Sequence, residues 1–335
     1  RCKDANLQDP SKAVVRAVSF HPGGELLLTG GYDRTLRLFQ VDGVTNAKVH
    51  GVHFPDMSIS SAAFTQNDQA VVVGRSRPFF YWYDLPSGKV VKVPRVLASA
   101  SSSSNLGAFS ASPDGRWLAF AGQAGEPLPG LALRGGLVLL SNRTKQWATD
   151  FKLNAPATAV TFSQDSKCVL AGGRDGMVYK FDLRTGRCAL RFFNQGGTGT
   201  TSLATSPTGG AGGGGQFTAV GSESGVVNVY DSSAFETGKR VLQPEPLKAL
   251  MQLTTAVTTV KFHPSGQARR SALAMASNDK RDGLRVAHLP SLTPFVNWPT
   301  QRTPTRYPFA VDFSPSGAFM AVGNDRGRAL LYRLR

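Results

Sequence analysis

The chain has 335 residues, of which 41% are hydrophobic and 18% are charged, so its composition excludes a disordered polymer and fits a folded core. Its 38 Lys and Arg against 22 Asp and Glu give a net charge of +16, which favours an anionic neighbour, either nucleic acid or an acidic protein. No apolar run approaches the length needed to cross a bilayer. The three cysteines form no CxxC pair, which disfavours a zinc site.

One pattern recurs seven times along the chain: an apolar strand, a turn, a strand ending in small residues, a second turn and an alternating strand. The first copy runs through Ala17 to Phe20, the turn His21 to Gly24, Leu26 to Gly31, Asp33 and Thr35 to Phe39. Alternation with a period of two predicts strands, and a repeat of about 40–50 residues built from strands is typical of a β-propeller. We therefore predict an all-β fold with seven blades, each with strands a to d from the inside outwards.

Strand a of each copy ends in an apolar anchor, which is Phe in six copies and Leu in one. The anchors are Phe20, Phe64, Phe109, Phe162, Leu203, Phe262 and Phe313. Pro, Asp, Asn and Gly in the turns that follow suit a tight connection between strands a and b. Small residues that end strand b, such as Gly30-Gly31 and Gly172-Gly173, predict a close approach of neighbouring blades.

Six copies continue into a shorter apolar stretch suited to an outer strand d. These stretches are Ala47 to Phe54, Val90 to Leu97, Trp147 to Leu153, Cys188 to Phe193, Leu247 to Leu253 and Phe295 to Trp298. The chain stops after the seventh strand c, so we expect the closing strand to be supplied by the amino-terminal segment or, as in a fragment, to lie upstream of Arg1. The predicted domains are a lead-in over 1–13 and a propeller over 14–335, with blades near 14–54, 58–98, 105–153, 157–193, 199–253, 256–298 and 309–335.

Three insertions interrupt the repeat, and we interpret them as surface loops because loop length costs little free energy. They are Ser99 to Ser104, Gln123 to Gly136 and Gly209 to Gly215. The glycine-rich insertion lacks the Lys-Ser/Thr of a phosphate-binding P-loop and precedes a strand rather than a helix.

Basic residues recur in the turns between strands b and c, which lie at one end of each blade. Five of the seven blades carry cations there: Arg34, Arg75, Arg77, Arg174, Lys280, Arg281 and Arg326. The a–b turns at the opposite end are nearly neutral or acidic apart from Arg269 and Arg270. The c–d turns share that opposite end and add Lys89, Lys145, Arg184 and Arg187. We hypothesise that the b–c end lies against RNA phosphate, with a solvated basic surface as the alternative.

The sequence predicts no catalytic, cofactor or metal site. Neither a Gly-x-Ser-x-Gly nor a His-Glu-x-x-His motif occurs, and the inner a strands offer Val, Ala, Thr, Ser and Phe. This disfavours a propeller hydrolase with a site in its central channel. Asp33, Asp175 and Asp325 are expected to hold b–c turns, and Cys168 and Cys188 to be buried apolar residues. We expect a non-enzymatic chain without a small-molecule substrate or a membrane partner.

The copies resemble degraded WD40 repeats. The Trp-Asp dipeptide that ends such repeats is replaced by Tyr83-Asp84, Phe181-Asp182 and Tyr230-Asp231, and the Gly-His dipeptide that opens them is missing. The buried His-Ser/Thr-Asp-Trp hydrogen-bond network of that family is therefore expected to be incomplete, so that strand packing carries more of the stability.

More narrowly, the chain resembles the U3 small nucleolar RNA-associated protein 18 family. The resemblance rests on Arg1 to Asn6, Leu38 to Gly43, Gly225 to Tyr230, Val286 to Ser291 and Gly323 to Leu334. It implies a nucleolar scaffold of the small-subunit processome, within the UtpB subcomplex beside tandem-propeller and helical-repeat proteins. It also implies contact with the 5′ external transcribed spacer of pre-rRNA and with the U3 small nucleolar ribonucleoprotein, in support of 18S rRNA maturation.

A second binding function is open. Phe181-Asp182-Leu183-Arg184 mimics the Trp-Asp-x-Arg box of WD40 substrate receptors of cullin-type ubiquitin ligases, in one copy and with Phe for Trp. An ordinary strand end followed by the Thr185-Gly186 turn explains the same residues.

Overall fold

The computed structural model is all-β, and its seven sheets are the blades of a seven-bladed β-propeller, which confirms the fold that the repeat predicts. It describes residues 1–74, 77–94, 105–123, 135–207, 217–235, 243–264, 271–289, 291–300 and 303–334. The predicted insertions lie wholly or mostly outside these residues, as do Arg75, Arg269 and Arg270. Contacts divide the chain into one unit of Arg1–Arg75, Tyr81–Val91 and Thr258–Arg335 and a second of Ser76–Phe80 and Lys92–Val257.

Each blade is an antiparallel sheet whose strands lie in chain order. Blade 1 consists of β1 (Val15–Phe20), β2 (Leu26–Gly31), β3 (Thr35–Gln40) and β4 (Ala47–His53). Blade 2 consists of β5 (Ile59–Thr65), β6 (Gln69–Gly74), β7 (Phe80–Asp84) and β8 (Val90–Val93). Blade 3 consists of β9 (Asn105–Ala111), β10 (Trp117–Gln123), β11 (Gly135–Ser141) and β12 (Trp147–Leu153). Blade 4 consists of β13 (Ala157–Phe162), β14 (Cys168–Gly173), β15 (Met177–Asp182) and β16 (Arg187–Phe193).

The last three blades are less regular at their outer edges. Blade 5 consists of β17 (Thr200–Thr205), β18 (Phe217–Ser222), β19 (Val227–Asp231) and β20 (Lys248–Leu250). Blade 6 consists of β21 (Thr259–Phe262), β22 (Ala272–Ala276), β23 (Leu284–His288) and β24 (Thr293–Pro294). Blade 7 has three strands, β25 (Pro308–Phe313), β26 (Phe319–Asn324) and β27 (Ala329–Arg333). The helix found in the described residues is a single 3-10 turn, Ser232–Phe235, and none there is long enough to cross a membrane.

The small residues of strand b meet the first residues of strand a in the next blade, as predicted. A Cβ atom added to Gly30 would lie 3.0 Å from Ile59 Cγ2, and one added to Gly172 would lie 2.8 Å from Thr200 Cβ. In the first unit, Gly323 of blade 7 faces Val15 of blade 1 in the same way. The absence of a side chain at this position therefore sets the distance between adjacent blades.

Serine holds the a–b turn in four blades. Ser112 Oγ accepts a hydrogen bond of 2.9 Å from the backbone N–H of Trp117, the residue that begins strand b. Ser163, Ser206 and Ser314 do the same for Cys168, Phe217 and Phe319. The hydroxyl replaces a backbone acceptor that the tight turn cannot offer, which explains why these turns open with serine.

Histidine stands first in the a–b turn of blades 1 and 6, and its ring contacts the a–b turn of the neighbouring blade. His21 Nε2 lies 3.0 Å from Asp68 Oδ1 in the a–b turn of blade 2. His263 Nε2 lies 2.9 Å from the carbonyl oxygen of Gly317 in the a–b turn of blade 7. His21 also accepts a local bond from the N–H of Gly23, the kind of contact that the sequence predicts. These two histidines therefore tie turns of adjacent blades together.

An ionisable pair lies on the inner strands of the first unit, where the sequence analysis found only Val, Ala, Thr, Ser and Phe. Asp312 of β25 accepts a 2.8 Å hydrogen bond from the N–H of Phe20 in blade 1, and its carboxylate lies 3.8 Å from Lys261 Nζ in blade 6. Burial raises the pKa of Asp312, while Lys261 and the N–H of Phe20 act to lower it. One carboxylate thus connects three blades, so the expectation for the inner strands is wrong at these two positions.

The amino-terminal segment runs along β27, where a fourth strand of blade 7 would pair. The N–H groups of Cys2, Ala5 and Ser11 donate to the carbonyl oxygens of Leu331, Ala329 and Gly327 at 2.9, 2.7 and 3.0 Å. The fully buried Asn6 accepts from the N–H of Ala329 and donates to the carbonyl oxygen of Gly327. Ala5 is likewise fully buried, in a cluster with Val15, Phe319 and Leu331. Side-chain and backbone bonds thus replace a regular strand.

Two sequence-based expectations about the outer strands are wrong. The outer strand of blade 6 is Thr293–Pro294 and not Phe295 to Trp298, because Trp298 instead packs edge-on against Tyr332 of blade 7, with ring centroids 5.2 Å apart. Cys188 is exposed on the outer strand β16, whereas Cys168 is partly buried in β14. An apolar stretch in the sequence therefore does not show whether a residue pairs in an outer strand or packs against a neighbouring blade.

The glycine contact between blades 7 and 1 gives a direct stability test. In Gly323→Ala the new methyl group would lie 2.8 Å from Val15 Cγ1 and 2.9 Å from the Val15 carbonyl oxygen, so backbone must move. We expect a loss of about 1–3 kcal/mol in the free energy of unfolding, measured by denaturant titration. The control is Gly136→Ala in β11, where no atom lies within 4 Å and the change should stay within about 0.5 kcal/mol. Equal stability of the two variants would contradict the close approach.

The inner carboxylate predicts a pH-dependent stability. Because the pKa of Asp312 is raised in the folded protein, ionisation opposes folding, and stability is lost as the pH rises through that raised value. Asp312→Asn keeps an acceptor and removes the charge. Its melting temperature minus that of the wild type should therefore become more positive between acidic and neutral pH. A difference that does not change, or changes no more than for the exposed Asp150→Asn of β12, would refute this.

Candidate nucleic-acid interface

The b–c turn of blade 4 shows how the repeat projects a cation. Asp175 Oδ1 accepts the N–H of Met177 at 3.1 Å, and the N–H of Gly176 donates to the carbonyl oxygen of Gly173 at 3.1 Å. Gly176 has a φ of 77°, which favours glycine and closes the turn. Arg174 is left exposed, and its guanidinium makes no hydrogen bond or ion pair within the described residues. The predicted role of Asp175 in the turn is confirmed.

In blade 1 the predicted cation is partly engaged. Arg34 has a φ of 61°, and its guanidinium donates a 2.8 Å hydrogen bond to the carbonyl oxygen of Pro55. Its side chain remains exposed. Asp33 contacts the N–H of Thr35 at 3.4 Å, as expected for this turn, and also binds Arg37 Nη1 at 2.6 Å. Arg34 therefore offers a positioned charge at the rim.

A charge network centred on the buried Arg37 lies next to this turn, and the sequence analysis missed it. Arg37 is only 6% exposed and its Nε lies 3.0 Å from Asp9 Oδ2 in the amino-terminal segment. Lys48 Nζ of β4 lies 2.6 Å from the same oxygen. The Lys48 hydrogen bond and Arg37 hold the pKa of Asp9 below its usual range. These two cations are paired within the fold and are not part of the interface.

Blade 7 presents Arg326 from a turn that is built differently from the prediction. Asn324 Oδ1 accepts the N–H groups of Arg326 and Arg328 at 3.1 and 3.0 Å. Asp325 does not hold the turn, and its buried Oδ1 has no hydrogen-bond partner in the described part of the chain. Asn324 takes the role because it ends strand b with its amide oxygen facing the following N–H groups. Arg326 is exposed.

Blade 6 presents Lys280 and Arg281, both exposed. Arg281 Nε lies 3.7 Å from Asp282 Oδ2, so part of its charge is neutralised nearby. Asp282 Oδ1 also accepts the N–H groups of Thr305 and Arg306, each at 2.8 Å, which anchors the connection to blade 7. The first unit therefore carries Arg34, Lys280, Arg281 and Arg326 on b–c turns of blades that pack in the order 6, 7, 1.

The second unit carries the remaining predicted cations that the structure describes. Arg77 and Arg174 are exposed and make no side-chain hydrogen bond or ion pair within the described ranges. Arg75 lies outside those ranges. Each unit thus presents b–c cations to solvent, and their contact with RNA stays a prediction.

The opposite end of blades 3 and 4 carries cations that the sequence analysis passed over. Asp114 and Asp165 made these a–b turns look acidic, yet Arg116 and Lys167 follow two residues later and are largely exposed. The signal was present, because a turn aspartate whose oxygens accept backbone N–H groups offers little free negative charge. Basic residues therefore occur at both ends of the second unit.

A buried polar network in blades 4 and 5 stands where the WD40 network would be. Asn194 Oδ1 accepts from Asn228 Nδ2 at 2.8 Å and from the Tyr230 hydroxyl at 3.0 Å. Burial raises the pKa of Tyr230 to about 12, so the hydroxyl stays a donor at neutral pH. Asn and Tyr thus replace His and Trp around one shared acceptor. Among the described residues, no three His, Cys, Asp or Glu side chains come together as metal ligands.

Comparison with known proteins agrees with this architecture. The model of the WD domain, G-beta repeat family matches residues 4–40 and 151–182. Over 331 residues the chain is 37% identical to the U3 small nucleolar RNA-associated protein 18 homolog of Arabidopsis thaliana, covering 99% of this chain and 56% of that protein. The human homolog is 36% identical over the same shares of each chain. U3 small nucleolar RNA-associated protein 18 of Saccharomyces cerevisiae is 32% identical over 375 residues, covering 100% of this chain and 60% of that protein.

The chain thus spans a little over half the length of these curated relatives. The two family-model matches begin before strand a and end with strand c, in blades 1 and 4, where the repeat is best preserved. The chain is a WD40-repeat β-propeller protein that resembles the U3 small nucleolar RNA-associated protein 18 family along nearly its whole length.

Proposed function

We propose that this chain is a non-enzymatic scaffold and assembly subunit of the small-subunit processome, acting in the nucleolus. There it supports early pre-rRNA processing that depends on the U3 small nucleolar ribonucleoprotein, and through it 18S rRNA maturation and ribosome biogenesis. The observation that carries this proposal is the similarity along 99–100% of the chain to proteins named for association with U3 small nucleolar RNA. The similarity covers every blade, which favours a shared set of docking surfaces over one shared motif.

The proposed partners follow from the family and from the charge. They are the tandem-propeller and helical-repeat subunits of the UtpB subcomplex, the U3 ribonucleoprotein and the 5′ external transcribed spacer of pre-rRNA. Arg34, Arg77, Arg174, Lys280, Arg281 and Arg326 support phosphate contact because each projects from a turn into solvent. Arg75 belongs to the same proposal by its place in the sequence. Phosphate contacts of this kind orient a protein on RNA without reading its bases.

The ubiquitin-ligase alternative rests on Phe181 to Arg184, and local bonds account for these residues. Asp182 Oδ1 accepts the N–H of Arg184 at 2.8 Å, and the N–H of Gly186 donates to the Asp182 carbonyl oxygen at 2.9 Å. The bond from the Arg184 N–H lowers the pKa of Asp182, and the two bonds together close the c–d turn. Because the turn itself requires the aspartate, the motif supports the ligase function weakly.

Depletion with rescue tests the proposal. When the endogenous protein is depleted in cells, we expect pre-rRNA that retains the 5′ external transcribed spacer to accumulate and 18S rRNA to fall, while large-subunit rRNA is maintained. Re-expression of the wild-type protein should restore 18S rRNA. Northern blots with spacer and 18S probes provide the measurement. Normal 18S rRNA after depletion, or co-purification with a ligase adaptor in place of pre-rRNA, would contradict the proposal.

A further inference from the structure

Blades 3 and 4 build the same two-turn arrangement at the end opposite their b–c turns. In blade 3 the N–H of Asn142 in the c–d turn donates to the carbonyl oxygen of Arg116 in the a–b turn, at 2.8 Å. In blade 4 the N–H of Leu183 donates to the carbonyl oxygen of Lys167, at 2.9 Å. The two turns of each blade are therefore held side by side, with equivalent cations, Arg116 and Lys167, in equivalent places.

The two blades are also tied to each other at this end. The N–H of Asp114 donates a 3.1 Å hydrogen bond to Ser166 Oγ, which joins the a–b turn of blade 3 to that of blade 4. Both blades belong to the second unit, and β13 packs directly against β9 and β10. The four turns thus form one continuous surface.

Carboxylates on this surface are engaged by the backbone. Asp114 Oδ1 accepts the N–H of Arg116 at 3.0 Å, and Asp165 Oδ1 accepts the N–H of Lys167 at 3.1 Å. Asp182 Oδ1 accepts the N–H of Arg184, as described above. A carboxylate that accepts turn N–H groups is fixed in place, and its charge is partly balanced by those dipoles. The negative groups are therefore unable to turn and pair fully with the neighbouring cations.

The cations, by contrast, extend into solvent. The Arg116 and Lys167 side chains are 80% and 79% exposed, and each lies 3.8 Å from its nearest carboxylate oxygen, too far for a hydrogen bond. Three more exposed cations from the c–d turns make no side-chain hydrogen bond or ion pair within the described ranges: Arg143, Arg184 and Arg187. Five cations thus face three engaged carboxylates.

An exposed aromatic residue adjoins the c–d turn of blade 3. Trp147 is the first residue of β12, directly after the c–d turn that carries Arg143, and is 52% exposed. Exposed tryptophan is uncommon on a surface that has no partner, whereas bases of single-stranded nucleic acid stack on such rings. An acidic polypeptide would be satisfied by the cations alone. The combination of guanidinium groups and an exposed indole therefore favours single-stranded RNA.

We propose that this end of blades 3 and 4 binds single-stranded RNA. The arginines and Lys167 contact phosphates, and the indole of Trp147 stacks on a base. We call it the blade 3–4 cation surface, formed by Arg116, Arg143, Trp147, Lys167, Arg184 and Arg187. It lies at the opposite end of these blades from Arg174, so it goes beyond the RNA contact in the proposed function and adds a second, independent site.

Fluorescence anisotropy with a labelled single-stranded oligouridylate tests this surface on the whole chain. Arg143→Glu/Arg184→Glu should weaken binding by at least about tenfold. It should also make the plot of log association constant against log salt concentration less steep by about 1.4, since each lost phosphate contact removes about 0.7 from the slope. Trp147→Ala should weaken binding by at least about fivefold with little change in that slope, and Trp147→Phe should restore most of it. Circular dichroism and melting temperature check that each variant is folded.

Matched variants separate this proposal from the one for the b–c turns. Arg174→Glu/Arg326→Glu changes the charge equally at the b–c end, and Lys3→Glu/Lys248→Glu does so at exposed positions outside both surfaces. The blade 3–4 cation surface is supported if the Arg143/Arg184 variant loses more RNA affinity than the Lys3/Lys248 variant. If only the Arg174/Arg326 variant loses RNA affinity, the proposal for the blade 3–4 cation surface is overturned and the one for the b–c turns is kept. Displacement of the RNA by polyglutamate together with an unchanged Trp147→Ala affinity would also overturn it, in favour of an acidic protein.

Discussion

The contact between the glycines near the end of strand b and the first residue of strand a in the next blade is the constraint on which the rest of the structure depends. A methyl group added to Gly30, Gly172 or Gly323 would lie no more than 3.0 Å from Ile59, Thr200 or Val15, so the neighbour would have to move. Close approach buries the apolar anchors, because Phe20, Phe162 and Phe313 then lie between adjacent sheets at no more than 6% exposure. Apolar area removed from water in this way is the main source of stability. Polar contacts such as the one between His263 Nε2 and the Gly317 carbonyl oxygen fix the orientation of blades that apolar packing already holds together.

This packing also decides where charge can go. The sheet interior accepts few ionisable groups, and those it does accept are paired, as Arg37 is with Asp9 and Asp33. Many of the remaining charged residues lie in the turns, where aspartates accept backbone N–H groups and arginines and lysines extend into solvent. Others lie on outer strands, such as Lys152 of β12 and Arg191 of β16. A chain with a net charge of +16 thus presents part of its excess positive charge at the ends of its blades. Such a surface attracts polyanions over the Debye length, which is consistent with the proposed binding to RNA.

Much of the architecture could be predicted from the sequence, because each blade repeats the same local requirements. Anchors, serine-led turns and small strand ends recur at fixed spacing, and strands such as Leu26–Gly31 and Trp147–Leu153 have the predicted bounds. The polar contacts between blades could not be predicted, since they join residues far apart in the chain. The link from Asp312 to Phe20 and Lys261 spans three blades, and the choice of Asn324 over Asp325 depends on where strand b ends. The cations at Arg116 and Lys167 were overlooked because formal charge was counted without asking which carboxylates the turns engage.

The central claim is that turn cations bring this propeller into contact with pre-ribosomal RNA. Ultraviolet crosslinking of the protein in native nuclear extract, followed by mass spectrometry of the RNA-linked peptides, tests it most directly. Adducts on peptides that contain Arg34, Arg174 or Arg326, attached to RNA that includes the 5′ external transcribed spacer, are the expected result. Protein that is recovered in processome particles without any RNA adduct on its turn peptides, or recovered outside such particles altogether, would contradict the claim.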